Sequence, residues 1–152
     1  TFLAAAKAEI PKHLDGENLL PLLKGESKST KRHSIYWHYP IYLNDPMDRG
    51  RDKDFRTRPV TVVRKGDWKL HLYHEEWILD GGKKAVATNN AVELYDLKLD
   101  EGERKNFANK DPKKRNELLK DLLVWMKKTD AKMATKISVT NNPVKGGADN
   151  EQ

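Results

Sequence analysis

The side chains best equipped for chemistry are His38, set between aromatics in IYWHYP, and the cationic pair Arg64 and Lys65 beside Trp68 in VVRKGDWKL. An imidazole can donate to or accept from a sugar hydroxyl, and a guanidinium fork matches the oxygens of an oxyanion. Both motifs therefore suit an anionic ligand. Each also has a plain structural reading. Aromatics at strand spacing are usually packing, with the histidine bonding a neighbour, and a charged lip on a hairpin keeps a sheet from pairing with itself. The remaining candidates are weaker. His71 and His74, three apart on a predicted strand, would point to opposite faces, so a shared metal is not expected. His13 and His33 are expected at the surface. Asp48, Asp52 and Asp54 lack the glycine and terminal glutamate of a calcium-binding hand and alternate with arginines, which reads as a solvated loop. The sequence has no phosphate-binding loop, dinucleotide fingerprint, H-E-x-x-H or G-x-S-x-G. It has no cysteine either, which removes disulfides, thiolate zinc sites and thiol nucleophiles.

The elements that must hold these residues follow from periodicity. Phe2 to Ile10 reads as the end of a helix stopped by Pro11, as though continuing from a longer polypeptide, and it lacks the basic leader of a secretion signal. ENLLPLLKG predicts a short helical turn burying Leu19, Leu20, Leu22 and Leu23 on one side, ended by Gly25. In IYWHYP, Ile35, Trp37 and Tyr39 face one way and Tyr36 and His38 the other, the alternation of a strand. Ile41 to Arg58 is a long polar connection, the kind that usually carries function. Pro59 to Arg64 and Trp68 to His74 predict a hairpin turning at Lys65-Gly66-Asp67. WILDGGKKAVATNN reads as a loop excursion and Val92 to Leu97 as a further strand. Asp111-Pro112 starts a helix whose apolar stripe is Leu118, Leu119, Leu122, Leu123, Trp125 and Met126. That stripe needs a sheet to cover. The fold class is α+β, with about four antiparallel strands packed against a long C-terminal helix. After Met133 the composition is that of a weakly held tail.

With 37% hydrophobic and 34% charged residues in 152, one modest core is affordable, and no apolar run is long enough to span a membrane. The formal net charge is +6. Between Arg49 and Lys69 the count is eight Lys/Arg against three Asp/Glu, a local +5. Nucleic acid, anionic lipid and acidic glycan all fit that excess. Nucleic acid ranks last, because stacking platforms would interleave with basic residues whereas these aromatics sit on apolar strand faces.

Five segments in order then carry a resemblance: LDGENLLPLLKGE, RHSIYWHYP, RPVTVVRKGDWKLHLY, ELYDLKLDEGERKNFANKDPKK and LLKDLLVWMKKTDAKM. Together they resemble the C-terminal subdomain of the formylglycine-dependent, arylsulfatase-like bacterial sulfatases, from about Leu14 to Met133. The resemblance implies residues 1–13 as the end of a helix and linker from a large N-terminal catalytic domain, 14–133 as the subdomain and 134–152 as tail. It places the nucleophilic formylglycine and a divalent metal, usually calcium, in that other domain, leaving no catalytic residue, metal site or cofactor in this chain. It implies that His38 and Arg64 reach a cleft for sulfated carbohydrate, shaped by the 41–58 loop, and that the parent protein is periplasmic or extracellular. Where many relatives carry a second histidine after the proline, this chain has Ile41. A free-standing module binding acidic polysaccharide is the alternative. If a partner domain covers this one, its surface should carry more apolar area than a monomer tolerates.

Overall fold

The computed structural model describes residues 1–42, 58–133 and 135–136. Four strands, β1 (Ser34–Tyr39), β2 (Val60–Lys65), β3 (Trp68–Tyr73) and β4 (Val92–Asp96), form one sheet in the order β1-β2-β3-β4. Every pairing is antiparallel. The β2–β3 hairpin turns on Gly66-Asp67, with Gly66 at φ 59° in the first central position. That backbone suits glycine and pins the register of both strands. Residues facing each other across the ladders share a face, so Tyr36, Val63, Leu70 and Leu94 form one row and His38, Thr61, Leu72 and Val92 the next.

These rows are covered by helix α4 (Pro112–Thr129), numbered after three short helices: α1 (Phe2–Ala5), α2 (Leu20–Leu23) and α3 (His74–Leu79). Leu118, Leu119, Leu122 and Met126 from α4 close a core with Val63, Leu70, Leu72, Val92 and Leu94. Trp125 stacks on Tyr36 with centroids 4.7 Å apart and planes 1° from parallel, fastening the helix over the outermost strand. The helix starts where Asp111 Oδ1 accepts from the Lys114 amide at 2.9 Å, with Pro112 just inside. It is held at its other side by Lys65, whose ammonium donates to Asp121 at 2.7 Å and Glu117 at 3.0 Å.

Three expectations need correction. The stretch after Tyr73 is not simply a loop: HEEWIL is helix α3, with Glu75 and Glu76 in its first turn, where carboxylates complement the positive helix end. The excursion then closes on the buried Asn89, whose Nδ2 donates to Gly82 O at 3.0 Å and whose Oδ1 accepts from the Ala91 amide at 3.1 Å. Gly82, at φ 56°, also sits where a Cβ would come within 3.3 Å of Trp77 O. The first helix is only Phe2–Ala5, ending well before Pro11. And the leucines of α2 are not buried. No residue from Thr1 to His33 is buried at all, and Phe2 is 90% and Leu23 72% exposed. With Ile35, Trp37 and Ile41 also about half exposed, the surface is far from uniformly polar.

Leu122 is fully buried while Val124, two residues on, is 60% exposed. Leu122→Ala is expected to lower unfolding free energy by about 2–5 kcal/mol in urea titrations, and Val124→Ala by less than about 0.5 kcal/mol.

Candidate functional site

At the end of the sheet where β1 leaves and β2 returns, three side chains meet. His38 Nδ1 lies 2.8 Å from Thr61 Oγ1, and the same hydroxyl lies 2.7 Å from His74 Nε2. The ladders explain the meeting. His38 is the direct cross-strand partner of Thr61, and pairing of Val60 with Tyr73 delivers His74 just beyond, where its amide donates to Pro59 O at 2.9 Å. Thr61 and His74 are fully buried, and the two imidazoles sit 5.5 Å apart. Burial pushes His74 down to about 4, with the neighbouring His38 adding to the shift. His74 is therefore neutral at ordinary pH, and its Nδ1 is buried with no hydrogen-bond partner among the described residues.

Around this chain stand groups from either side of the 43–57 connection. The Tyr42 hydroxyl donates to Glu75 Oε2 at 3.2 Å, and burial together with that carboxylate raises its pKa. Arg58 donates to Glu76 Oε1 and lies 3.8 Å from the Tyr73 ring centroid. The connection itself, with Asp48, Asp52 and Asp54, lies outside the described residues.

Arg64 is elsewhere. Three residues along β2 from Thr61, it projects from the opposite face, so the structure does not bring His38 and Arg64 together. Arg64 is exposed and lines a shallow groove of about 440 Å³ with Trp37, Lys69, Leu97, Glu101 and Glu103. Lys65, read as part of the same basic lip, faces α4 instead. Its bonds to Asp121 and Glu117 push its ammonium up to about 12 and make it structural. The rest of the open face is largely satisfied from within. Glu93 Oε2 accepts from Tyr73 at 2.7 Å and Tyr95 at 3.0 Å, and Lys69 donates to Glu103 at 2.6 Å. His71 sits on this face, apart from His74, with its pKa lowered first by burial.

Thr61 and His74 were not singled out by the sequence. The available signal was a polar residue inside the run VTVV, facing His38 across the ladder.

The family of the C-terminal region of N-sulphoglucosamine sulphohydrolase matches residues 1–132. The chain belongs to this sulfatase family. Among its relatives are an ulvan-active sulfatase of Formosa agariphila, 29% identical over 84% of this chain and 27% of that protein, and human arylsulfatase A, 34% identical over 70% and 20%. A solved structure of a protein in complex with its substrate D-glucosamine-2-N,6-O-disulfate matches at 25% identity and TM-score 0.56, over 86% of this chain and 23% of that one. The sulfatase C-terminal domain thus spans about a quarter of the length of these proteins, and they carry an N-terminal region beyond it. The groups that the family resemblance implies do not fit here. The sequence has no C/S-x-P/A-x-R from which a formylglycine is made, and among the described residues no three His, Cys, Asp or Glu gather as a metal requires.

Because burial depresses His74, the folded chain holds fewer protons than the unfolded chain between about pH 6.5 and 4, and folding there releases a proton. Its contribution, up to about 3 kcal/mol, is complete above pH 6.5 and is lost as pH falls towards 4. His74→Gln should flatten this part of the stability profile, measured by urea unfolding at pH 7 and pH 4.5.

Proposed function

We propose that this sulfatase C-terminal domain completes the substrate cleft of a longer enzyme that hydrolyses sulfate esters on glycans, and that the domain is not catalytic by itself. The observation that carries the reading is the built cluster of His38, Thr61 and His74 at the sheet end, in a chain that matches the family over residues 1–132. A nucleophile and metal held in the N-terminal domain would cleave the ester; His38 would contact the sugar or its sulfate. Arg64, with the half-exposed Trp37 beside it, would meet a second anionic unit on the other face of the sheet. No single sulfate touches both. The unburied apolar residues of 1–33 support the same reading, since they have no cover among the described residues and a neighbouring domain would provide it. Names of the relatives, one active on ulvan and one solved with a disulfated glucosamine, point towards sulfated carbohydrate as the substrate class. Sulfated polysaccharides are met outside the cytoplasm, and we extend the proposal to a periplasmic or extracellular full-length protein.

The test is sulfate release by the full-length protein from ulvan oligosaccharides and glycosaminoglycan disaccharides. Turnover is expected there and not with residues 1–152 alone. His38→Ala should raise KM about tenfold, one hydrogen bond to a charged group. Arg64→Ala should matter only for oligosaccharides, with an exposed contact worth about 1 kcal/mol or less. Tight, salt-resistant binding of a sulfated polysaccharide by the isolated chain, with no release by the longer protein, would replace this reading with that of a free-standing binding module.

A further inference from the structure

We propose that Thr61 and His74 are positioning residues that fix His38 in one tautomer, with its proton on Nε2, so that the imidazole offers a hydrogen-bond donor to the ligand. The inference rests on the reading of His38 as a ligand contact, but its evidence is separate. Thr61 Oγ1 has one hydrogen to give, and among the described residues its two partners are His38 Nδ1 at 2.8 Å and His74 Nε2 at 2.7 Å. If both imidazoles donated to the oxygen, the buried hydroxyl hydrogen would be left without an acceptor among the described residues, so two directions of donation remain. In one, His74 Nε2–H donates to Thr61, and the Thr61 hydroxyl donates to a bare His38 Nδ1. In the other, His38 Nδ1–H donates to Thr61, and the hydroxyl donates to a bare His74 Nε2, which obliges a neutral His74 to carry its proton on Nδ1.

The second direction carries a penalty that the first avoids. Among the described residues, His74 Nδ1 is buried without a hydrogen-bond partner. A buried N–H with no acceptor forfeits its full solvation, whereas a bare lone pair in an apolar wall loses less, and orphaned buried donors are correspondingly rare. An imidazolium at His74 would satisfy neither requirement, and burial already opposes it. The chain therefore runs outward from His74 through Thr61 to His38. One consequence is chemical selectivity. His38 Nε2, which makes no hydrogen bond to the described residues, then carries a hydrogen, so it favours an acceptor such as a sulfate oxygen over a ligand that has only donors to present.

Nitrogen-15 spectra of the imidazoles in the full-length protein read this directly, since protonated and bare ring nitrogens resonate far apart. Wild type is expected to show His38 with a bare Nδ1 and a protonated Nε2. Thr61→Ser and His74→Gln, which keep the hydroxyl and the ε-position donor, should preserve that pattern. Thr61→Val should give His38 a mixture of tautomers, and should weaken a titration with D-glucosamine-2-N,6-O-disulfate about fivefold, the scale of one neutral hydrogen bond. A wild-type His38 protonated on Nδ1, or a Thr61→Val spectrum identical to wild type, overturns the inference. The first of these results alongside a loss of turnover in His38→Ala would leave the substrate contact standing. Unchanged turnover in His38→Ala with the Nε2–H pattern intact would instead remove the contact and keep the tautomer assignment.

Discussion

A single helix can dry only one side of a four-stranded sheet, and the described residues supply only one long helix. The row Tyr36, Val63, Leu70, Leu94 and the row behind it meet α4 and form a true core. The other side is left to tyrosines, a histidine and charged groups that solve their hydrogen bonding among themselves, as Glu93 does with Tyr73 and Tyr95. Much else follows from that imbalance. Alternation along β1 sends Tyr36 and His38 under cover and leaves Ile35 and Trp37 half in water. Alternation along β2 sends Lys65 to the helix and Arg64 away from it.

The same constraint explains why the histidine cluster is dry enough to be specific. At the end of the sheet where His38 sits, α3 begins with His74, which lies against Thr61 with no exposure for either. In such a place a hydroxyl with a single hydrogen cannot satisfy two imidazoles in arbitrary ways. Geometry and the cost of stranding a donor leave one arrangement, which is how a structural threonine comes to govern the chemistry of a neighbouring ring.

Period and turn chemistry made the sheet legible in the sequence. The glycine turn, read as Lys65-Gly66-Asp67 and found one residue shorter because Lys65 pairs with Trp68, the alternation of IYWHYP and VELYDL, and the Asp111-Pro112 start of α4 are local signals that agree with what the fold requires. Helix α3 was hidden because HEEWIL is too short to show a helical period and follows a strand without a turn residue between them. The α2 leucines looked buried because apolar residues at helical spacing announce a face to be covered, without saying by what. In the candidate site, His38 was visible as an odd residue among aromatics. Thr61 and His74 were not, because their role depends on cross-strand register and on burial, quantities that adjacent letters do not encode. Whether Arg64 shares a face with His38 was equally a matter of register.

The two borders of the sheet are finished differently. Along β4, the Leu94 amide is taken by Asn106 Oδ1 at 3.1 Å and its carbonyl by the Phe107 amide at 2.7 Å, so one side chain and one backbone amide seal that margin. Along β1 the described residues lay down no such seal, and half-exposed Ile35 and Trp37 flank the open row of peptide groups. An unsealed strand edge is a template for another strand. Of the two borders β4 is therefore closed to a further strand, and β1 is the one whose described residues leave peptide groups open to pairing.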